Sequence, residues 1–371
     1  MTVSQTIQML APYVEVAPVR GHLSGLFTVP RGGRHNKAKV KVHVRRGNEA
    51  IAYPMNDKAG GWRWNERRGY SEKDVVPAKY KEAMSIGADE IMGDQSFGMN
   101  PYENTSLMAR AQEEIGDVSD QLNGKLARAL ELQAAQILQT GALTLVDDAG
   151  ATVFSENFAP KAAHLFNAST TWATTGSAVP LTDIATAGDL IKQHSKRMPL
   201  RAHMNSVTFA QMLATDSVKL ALNNDYRIDN GQIQRLDRGG QPVNPIVIGA
   251  GIYQGTLRCR NYMIDIYTYD EGYDHPQTGT YTKYIADYKV IVESGGRLDA
   301  TFGQLNTFGS EQRGARMLGA ARFGNPLELS DFTLVAWVSD DGMNFNVGIG
   351  TRAILFPVAI DSFCCITSSG F

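Results

Sequence analysis

The longest regular pattern of apolar residues along the chain lies between residues 106 and 140. Leu, Ile, Val and Ala recur there at steps of three, four or seven, with charged side chains between them. This spacing predicts one helix that is capped by Asn104, Thr105 or Ser106 and ends at Gly141. At 1.5 Å per residue the helix is about 50 Å long, which indicates a strut or spine.

Alternating apolar and polar positions predict a half-exposed strand at 38–46, in which three valines face one way. A short second strand is predicted at 50–53, and a polar loop follows at about 55–82. Loops longer than about 15 residues are uncommon within compact domains and are usually functional.

The remaining chain contains shorter runs with the helical spacing of three or four residues and others with the alternation typical of strands. Together they predict a mixture of helices and strands. A hairpin is predicted at 143–146 and 153–155, around the Asp-Asp-Ala-Gly turn. Helices are predicted at 183–197 and 206–222. Strands are predicted at 246–248, 257–269, 284–293, 332–339 and 353–367.

Charge is distributed unevenly. Residues 1–81 hold 15 Lys and Arg against 6 Asp and Glu, whereas residues 82–371 hold 21 against 32. A basic arm before an acidic body predicts that an arm of one copy contacts the body of another. A basic surface with no special partner explains the charges equally well. The candidate intersubunit contacts are the Arg and Trp residues of the loop, which are favoured at interfaces: Arg45, Arg46, Trp62, Trp64, Arg67 and Arg68.

The N-terminal segment of about 85 residues also holds few candidate core residues. Ordering it costs roughly 1–2 kcal/mol per residue in backbone entropy. Only burial against other chains is expected to offset that cost, so the arm and loop of a lone copy are expected to be disordered.

Composition excludes several classes of protein. A net charge of −2 argues against a dedicated nucleic-acid binder. No apolar run reaches the roughly 18 residues that span a bilayer, and the N-terminus does not resemble a signal peptide. Cys259, Cys364 and Cys365 form no disulfide framework or zinc motif, so reduced, partly buried thiols and folding in a cytoplasm are expected.

No motif for catalysis or cofactor binding stands out. Gly249, Gly251 and Gly255 suggest a dinucleotide loop, but their spacing is one residue too long and a strand pattern follows where a helix is required. We expect a turn between strands there, no metal and no cofactor. Glu113, Glu114 and Asp117 on the predicted helix are expected to be solvated or paired rather than to act as an acid and base.

Several short stretches, in order, give the chain a resemblance to a known family. They are residues 23–27, 45–47, 86–91, 96–98, 139–141, 145–150, 336–337 and 355–357. With the basic arm, the long loop and the spine helix in this order, the chain resembles the major capsid proteins of tailed bacteriophages, specifically the lambda-type E family.

The resemblance implies an α+β protein with the HK97-like capsid fold, which has an N-terminal arm, an extended E-loop, a peripheral domain with the spine helix, and an axial domain. By position we assign the arm to 1–36, the E-loop to 37–85, the peripheral domain to 86–185, the axial domain to 186–309, and a C-terminal return to the peripheral domain to 310–371.

The resemblance also implies a structural function. Such proteins form hexamers and pentamers of an icosahedral head around double-stranded DNA, so we expect a virion protein that assembles in the host cytoplasm. Candidate partners are a decoration protein, a scaffold and a portal; DNA contact is expected to be weak and non-specific. Some proteins of this fold crosslink subunits through a Lys–Asn bond, whereas lambda-type heads do not. An encapsulin-like compartment shell, and less so a nucleotide-dependent enzyme, stay open as alternatives.

Overall fold

A computed structural model describes most of the body and parts of the N-terminal segment. The described residues are 21–31, 33–35, 40–44, 71–87, 107–225, 228–229, 232–233, 247–248, 251–275, 278–303, 333–339 and 343–369. Four α-helices lie within these residues: α1 (Leu107–Thr140), α2 (Pro180–Ser195), α3 (Ser206–Ala214) and α4 (Asp216–Asp225).

The long helix predicted at 106–140 is confirmed as α1. Leu122, Leu126, Ile137 and Leu138 are buried along one side of it. The helix ends at Gly141, whose φ of 67° is left-handed and whose N–H donates to the carbonyl of Ile137. A glycine is favoured there because a left-handed backbone strains other residues.

The helix predicted at 206–222 is instead two helices, α3 and α4. The break is at Thr215, whose N–H and hydroxyl both donate to the carbonyl of Met212. The N–H of Asp216, which begins α4, donates to the carbonyl of Thr175. The apolar period continues across the break because both helices face the same core, so the sequence pattern did not reveal it.

Twenty strands lie within the described residues. The first ten are β1 (Arg34–His35), β2 (Val40–Val44), β3 (Ser71–Val75), β4 (Tyr80–Gly87), β5 (Ala142–Val146), β6 (Thr152–Asn157), β7 (Leu165–Asn167), β8 (Arg201–Met204), β9 (Ile228–Asp229) and β10 (Gln232–Ile233). The other ten are β11 (Val247–Ile248), β12 (Gly251–Cys259), β13 (Tyr262–Thr268), β14 (Gly272–Asp274), β15 (Tyr281–Lys283), β16 (Lys289–Glu293), β17 (Leu298–Gly303), β18 (Thr333–Val338), β19 (Asn344–Pro357) and β20 (Phe363–Thr367).

Three predicted strands need correction. The run at 257–269 is part of the hairpin of β12 and β13, which reverses at Arg260 and Asn261. The run at 353–367 divides into the end of β19 and β20, separated by a 3-10 turn at Ile360–Ser362. The run at 284–293 is a strand only from Lys289 onward. In the last two cases buried residues outside the strands, such as Ile285 and Ile360, extend the apolar pattern, whereas the exposed turn at Arg260 and Asn261 is too short to interrupt it.

A five-stranded sheet contains the long strand β19. Its order is β1, β17, β19 and β18, and β4 also pairs with β19, along Asn344–Thr351. Helix α1 packs across β19, where the buried Gln133 accepts the N–H of Leu355 and donates to the hydroxyl of Tyr80. The hydrogen bonds of this amide fix the position of the spine helix on the sheet.

A seven-stranded mixed sheet has the order β11, β12, β13, β8, β16, β20 and β7. One face packs against α2, α3 and α4 in a core that includes Ile184, Trp172 and Ile264. On the other face, Ile291 and Phe363 join a second core together with the C-terminal half of α1. The spine helix therefore contacts both sheets.

The predicted division into arm, E-loop, peripheral and axial segments stays a prediction. The pairing of β16 with β20 joins the segments assigned as 186–309 and 310–371, and so does the pairing of β17 with β19. Helix α2 includes the boundary between residues 185 and 186.

The expectation that the first 85 residues have no core within their own chain is wrong for the part that is described. Leu23, Phe27 and Val75 are buried in the same core as the C-terminal half of α1. The backbone of Thr28 bonds to Leu298 and Ala300, and β1 extends this parallel pairing along β17. These contacts offset ordering entropy without a second copy.

Candidate functional site

The base of the predicted E-loop is a two-stranded antiparallel ladder of β2 and β3. The ladder brackets residues 45–70 and continues through the buried Val75 toward β4. The six predicted contact residues, Arg45, Arg46, Trp62, Trp64, Arg67 and Arg68, all lie outside the described residues, so their contacts stay a prediction.

Residues 21–31, which we call the arm strap, dock where the spine helix meets the seven-stranded sheet. The carboxylate of Glu131, fully buried on α1, accepts three consecutive strap amides. One oxygen accepts the N–H of His22 at 3.1 Å and of Leu23 at 2.7 Å, and the other accepts that of Ser24 at 2.9 Å. Charged acceptors form stronger hydrogen bonds than neutral ones, so this contact fixes the strap on the helix.

The ring of His22 enters a pocket of aromatic side chains on the seven-stranded sheet. Ring centroids of His203, Tyr269 and Tyr267 lie 4.9, 5.0 and 5.8 Å away. Gly251 forms the adjacent wall, since a Cβ there would lie 2.3 Å from a carbon of the His22 ring. Glycine at the start of β12 therefore makes room for the strap.

A hydrogen bond between two imidazoles completes the docking. Nε2 of His22 lies 2.9 Å from Nδ1 of His203, which is completely buried on β8. Burial lowers the pKa of His203 well below its usual value, and the charges of His22 and Arg201 lower it further. Burial also raises the pKa of Glu293, whose Oε1 lies 4.0 Å from Nε2 of His203.

A second imidazole pair joins the 3-10 turn before β7 to helix α2. Nδ1 of the buried His164 is 2.8 Å from the carbonyl of Phe363, so this nitrogen carries the proton and donates it. Its Nε2 then accepts from Nδ1 of His194, at 2.8 Å. Cys364 lies 3.0 Å from His164, but burial raises the pKa of its thiol, which argues against an activated nucleophile.

The three cysteines are free and buried. Burial raises the pKa of both Cys259 and Cys365 to about 12. Within the part of the chain that the structure describes, no group of three or more His, Cys, Asp or Glu side chains could hold a metal ion. Nor do those residues include a helix long and apolar enough to cross a membrane.

The glycine-rich turn does not open a helix. Gly251 begins the strand β12, and Gly255, with φ of 142°, lies at a β-bulge against β13. Because a dinucleotide loop needs the N-terminus of a helix at this place, the nucleotide-dependent enzyme alternative is not supported. Gly249 lies outside the described residues.

A family model described as phage major capsid protein E matches residues 6–328. The chain belongs to this family. It is therefore a phage capsid component with a structural role, as the sequence resemblance predicted. No curated protein matches the chain.

Solved structures resemble the chain in fold. A candidate capsid protein of a prophage in E. coli CFT073 has a TM-score of 0.58 at 12% identity, over 81% of this chain and 80% of that one. A chain from Microbacterium phage Oxtober96 has a TM-score of 0.49 at 10% identity, over 97% and 95%. The encapsulin of Synechococcus elongatus PCC 7942 has a TM-score of 0.44 at 8% identity, over 90% and 82%. The α+β fold is that of HK97-like phage capsid proteins.

Sequence reasoning missed both parts of the docking site. Glu131 lies on the predicted spine helix, and Ala134, Ala135 and Leu138 follow it at three, four and seven residues and are buried. A carboxylate on the apolar face of a helix is a signal that it has a partner. The pairing of His22 with His203 left no signal, because the two residues are far apart in sequence.

Proposed function

We propose that the chain forms the hexamers and pentamers of an icosahedral phage head that encloses double-stranded DNA. The family match over residues 6–328 carries this proposal. The arrangement of the body supports it, because the long helix α1 packs against both sheets and can act as a rigid spine in a thin shell.

The proposed contacts between subunits come from the basic loop. Arg45, Arg46, Trp62, Trp64, Arg67 and Arg68 of one copy would contact the acidic body of a neighbour. Opposite net charges of the two segments support this pairing, since complementary charge directs association and register. The antiparallel ladder of β2 and β3 supports an extended loop, because it joins the two ends of the loop at the body.

The proposed division of the chain follows the same scheme: arm 1–36, E-loop 37–85, peripheral domain 86–185 with 310–371, and axial domain 186–309. Candidate further partners are a decoration protein, a scaffold and a portal. Assembly is proposed to occur in the host cytoplasm. No catalytic step is proposed, and contact with packaged DNA is proposed to be weak and independent of sequence.

Assembly is tested by expressing the full chain and imaging it by negative-stain electron microscopy, alone and with a scaffold protein encoded beside it. We expect closed shells, tubes or capsomers at micromolar concentration. A species that stays monomeric by light scattering at every salt and protein concentration, with scaffold supplied, would contradict the proposal.

The loop contacts are tested by reversing two charges, Arg67→Glu with Arg68→Glu. Breaking desolvated ion pairs from one side costs several kcal/mol each, and symmetry repeats the loss at every interface. We expect few particles and an unchanged melting temperature of the free chain. Arg67→Lys with Arg68→Lys is the matched control, which keeps the charge. Normal particle yield from the Glu variant would show that these arginines are merely solvated.

Trp62→Ala or Trp64→Ala should lower the stability of the shell by removing buried aromatic area.

A further inference from the structure

The imidazole pair of His22 and His203 is the only link between the strap and the seven-stranded sheet, among described residues, that can change its charge near neutral pH. A hydrogen bond between two imidazoles needs one N–H and one bare nitrogen. With Nδ1 of His203 as the acceptor, its proton lies on Nε2, which has no hydrogen-bond partner within the described residues and faces Glu293 at 4.0 Å.

The docked pair can hold at most one additional proton. A first added proton leaves the shared hydrogen bond intact but places a cation in a site with almost no water. A second added proton puts an N–H on both nitrogens of the shared contact, 2.9 Å apart. Undocking removes both restrictions, because the ring of His22 then titrates in water, near the usual histidine pKa of about 6.5, and no longer covers the ring of His203.

Within the described residues, charged and titratable groups lie beside the pair or beside Tyr267 and Tyr269, which contact it. They are Glu131 on α1, Arg201 on β8, Tyr253 on β12, Asp265, Tyr267 and Tyr269 on and after β13, Tyr284, and Glu293 on β16. Glu131 and Glu293 favour a protonated pair, whereas burial and Arg201 oppose it. For His203 burial is the largest effect, and the charges of His22 and Arg201 lower its pKa further.

We propose that His22 and His203 form a pH-sensitive latch, in which a neutral pair keeps the arm strap docked and proton uptake below about pH 6.5 releases it. Glu131 holds the strap backbone, and the imidazole pair decides whether the strap stays. The latch lies within one chain, so it goes beyond the proposed assembly and does not depend on it.

The direction follows from proton linkage. The pKa of His203 in the folded chain lies below the unfolded value. The stability that its neutral ring contributes is therefore complete above about pH 6.5 and is lost as the pH falls. The docking constant should fall about tenfold, between about pH 6.5 and 5.5, for each proton that undocking takes up. If undocking takes up two protons, the docking constant should fall by up to about a hundredfold over the same pH range.

Hydrogen–deuterium exchange tests the latch on the purified full chain. The amides of Leu23 and Ser24 are direct reporters, because both donate to Glu131 in the docked strap. We expect their protection, corrected for the intrinsic pH dependence of exchange, to fall at least tenfold between about pH 7.5 and 5.5. The double variant His22→Gln with His203→Gln keeps an amide pair that can hydrogen bond but does not titrate, and should lose this pH dependence.

His194→Gln is the matched control, since it alters the other imidazole pair and should retain the full fall in protection. Protection in the native chain that changes as little as in the double variant, or a fall that persists in the double variant, would overturn the proposal. Should the double variant fail to fold, deuterium exchange at the imidazole carbon of His203 gives its pKa directly in the native chain. A value at or above about 6.5 would equally overturn it.

Discussion

The carboxylate of Glu131 lies 2.7 Å from the backbone N–H of Leu23, a residue 108 positions earlier in the chain. Leu23 is itself completely buried beside the C-terminal half of the spine helix. Polar and apolar contacts thus hold the same short segment, and they fix the strap at the junction of helix α1 and the seven-stranded sheet. The described part of the arm is therefore anchored on the body of its own chain.

Glu131→Gln tests how much this contact stabilises the fold. The glutamine amide would direct its own N–H groups at a strap N–H that now donates to a carboxylate oxygen. A buried donor without a partner costs about 1–3 kcal/mol. We expect the free energy of unfolding to fall by about that amount, measured by urea denaturation of the full chain.

Asp120→Asn is the matched control for this change. Asp120 is an exposed acidic residue on the same helix. Exposed substitutions of this kind usually change stability by less than about 0.5 kcal/mol. Equal effects of the two variants would show that the loss of a negative charge on the helix, and not the strap contact, determines the result.

The spine helix could be predicted almost to the residue, whereas the arm could not. Helix α1 has a continuous apolar period over its whole length and a glycine at its end, so local sequence determines both its type and its bounds. The docking of Leu23 and Phe27 depends on contacts with residues more than a hundred positions away. Such contacts leave no periodic trace in a short segment.

The contrast between local patterns and long-range contacts also explains which parts of the candidate site could be predicted from the sequence. The order of arm, loop and spine was sufficient to identify the family, because it depends on several local patterns along the chain. His22 and His203 had no such pattern, and their pairing required the fold to be known. Glu131 lies between these cases, since its place on an apolar face was visible in the helical spacing.

Gly141→Ala is expected to destabilise the protein. The backbone at Gly141 is left-handed, with φ of 67°, and a Cβ there would lie 2.3 Å from a ring carbon of Pro160. The left-handed conformation alone costs about 1–2 kcal/mol for a residue with a side chain. We expect a loss of at least that size in thermal or urea denaturation.

Gly116→Ala, within helix α1, should change the stability in the opposite direction. Gly116 lies within α1, and a Cβ there would have nothing within 4 Å. Replacing glycine by alanine in an exposed helix interior stabilises by about 0.5–1 kcal/mol. Stabilisation by both variants would mean that the helix does not end at Gly141 in solution.

The three thiols should not react in the native protein. Burial raises the pKa of Cys259 and Cys365 to about 12, and it also raises that of Cys364. The thiolate is the reactive form, so at about pH 8 only roughly one thiol in ten thousand is ionised at such a site. Titration with a coloured disulfide reagent should detect almost no thiol before unfolding and all three in guanidinium chloride.

Because burial raises the pKa of these thiols, we also expect the protein to lose stability at high pH. In the unfolded chain they ionise near about pH 8.5, whereas in the folded chain they stay protonated to about pH 12. The unfolded state therefore releases protons first, and the free energy of unfolding should fall as the pH rises above about 8.5. Cys259→Ala should reduce this slope, which urea denaturation at several pH values measures. An unchanged slope would show that the thiol is more exposed in solution than in the structure.

The chain should bind DNA weakly and without sequence preference. Residues 82–371 carry a net negative charge, and helix α1 holds Glu114, Asp117 and Asp120, so neither provides the basic surface that base readout requires. Contacts from the basic N-terminal segment to phosphates would release counterions, so affinity should fall steeply with salt. Disassembled subunits titrated against two unrelated duplexes, at low and at physiological salt, measure both properties.

We expect similar affinities for the two duplexes at low salt and little binding to either at physiological salt. Tight binding to one duplex that survives physiological salt would contradict this prediction, because only base-specific contacts would explain it.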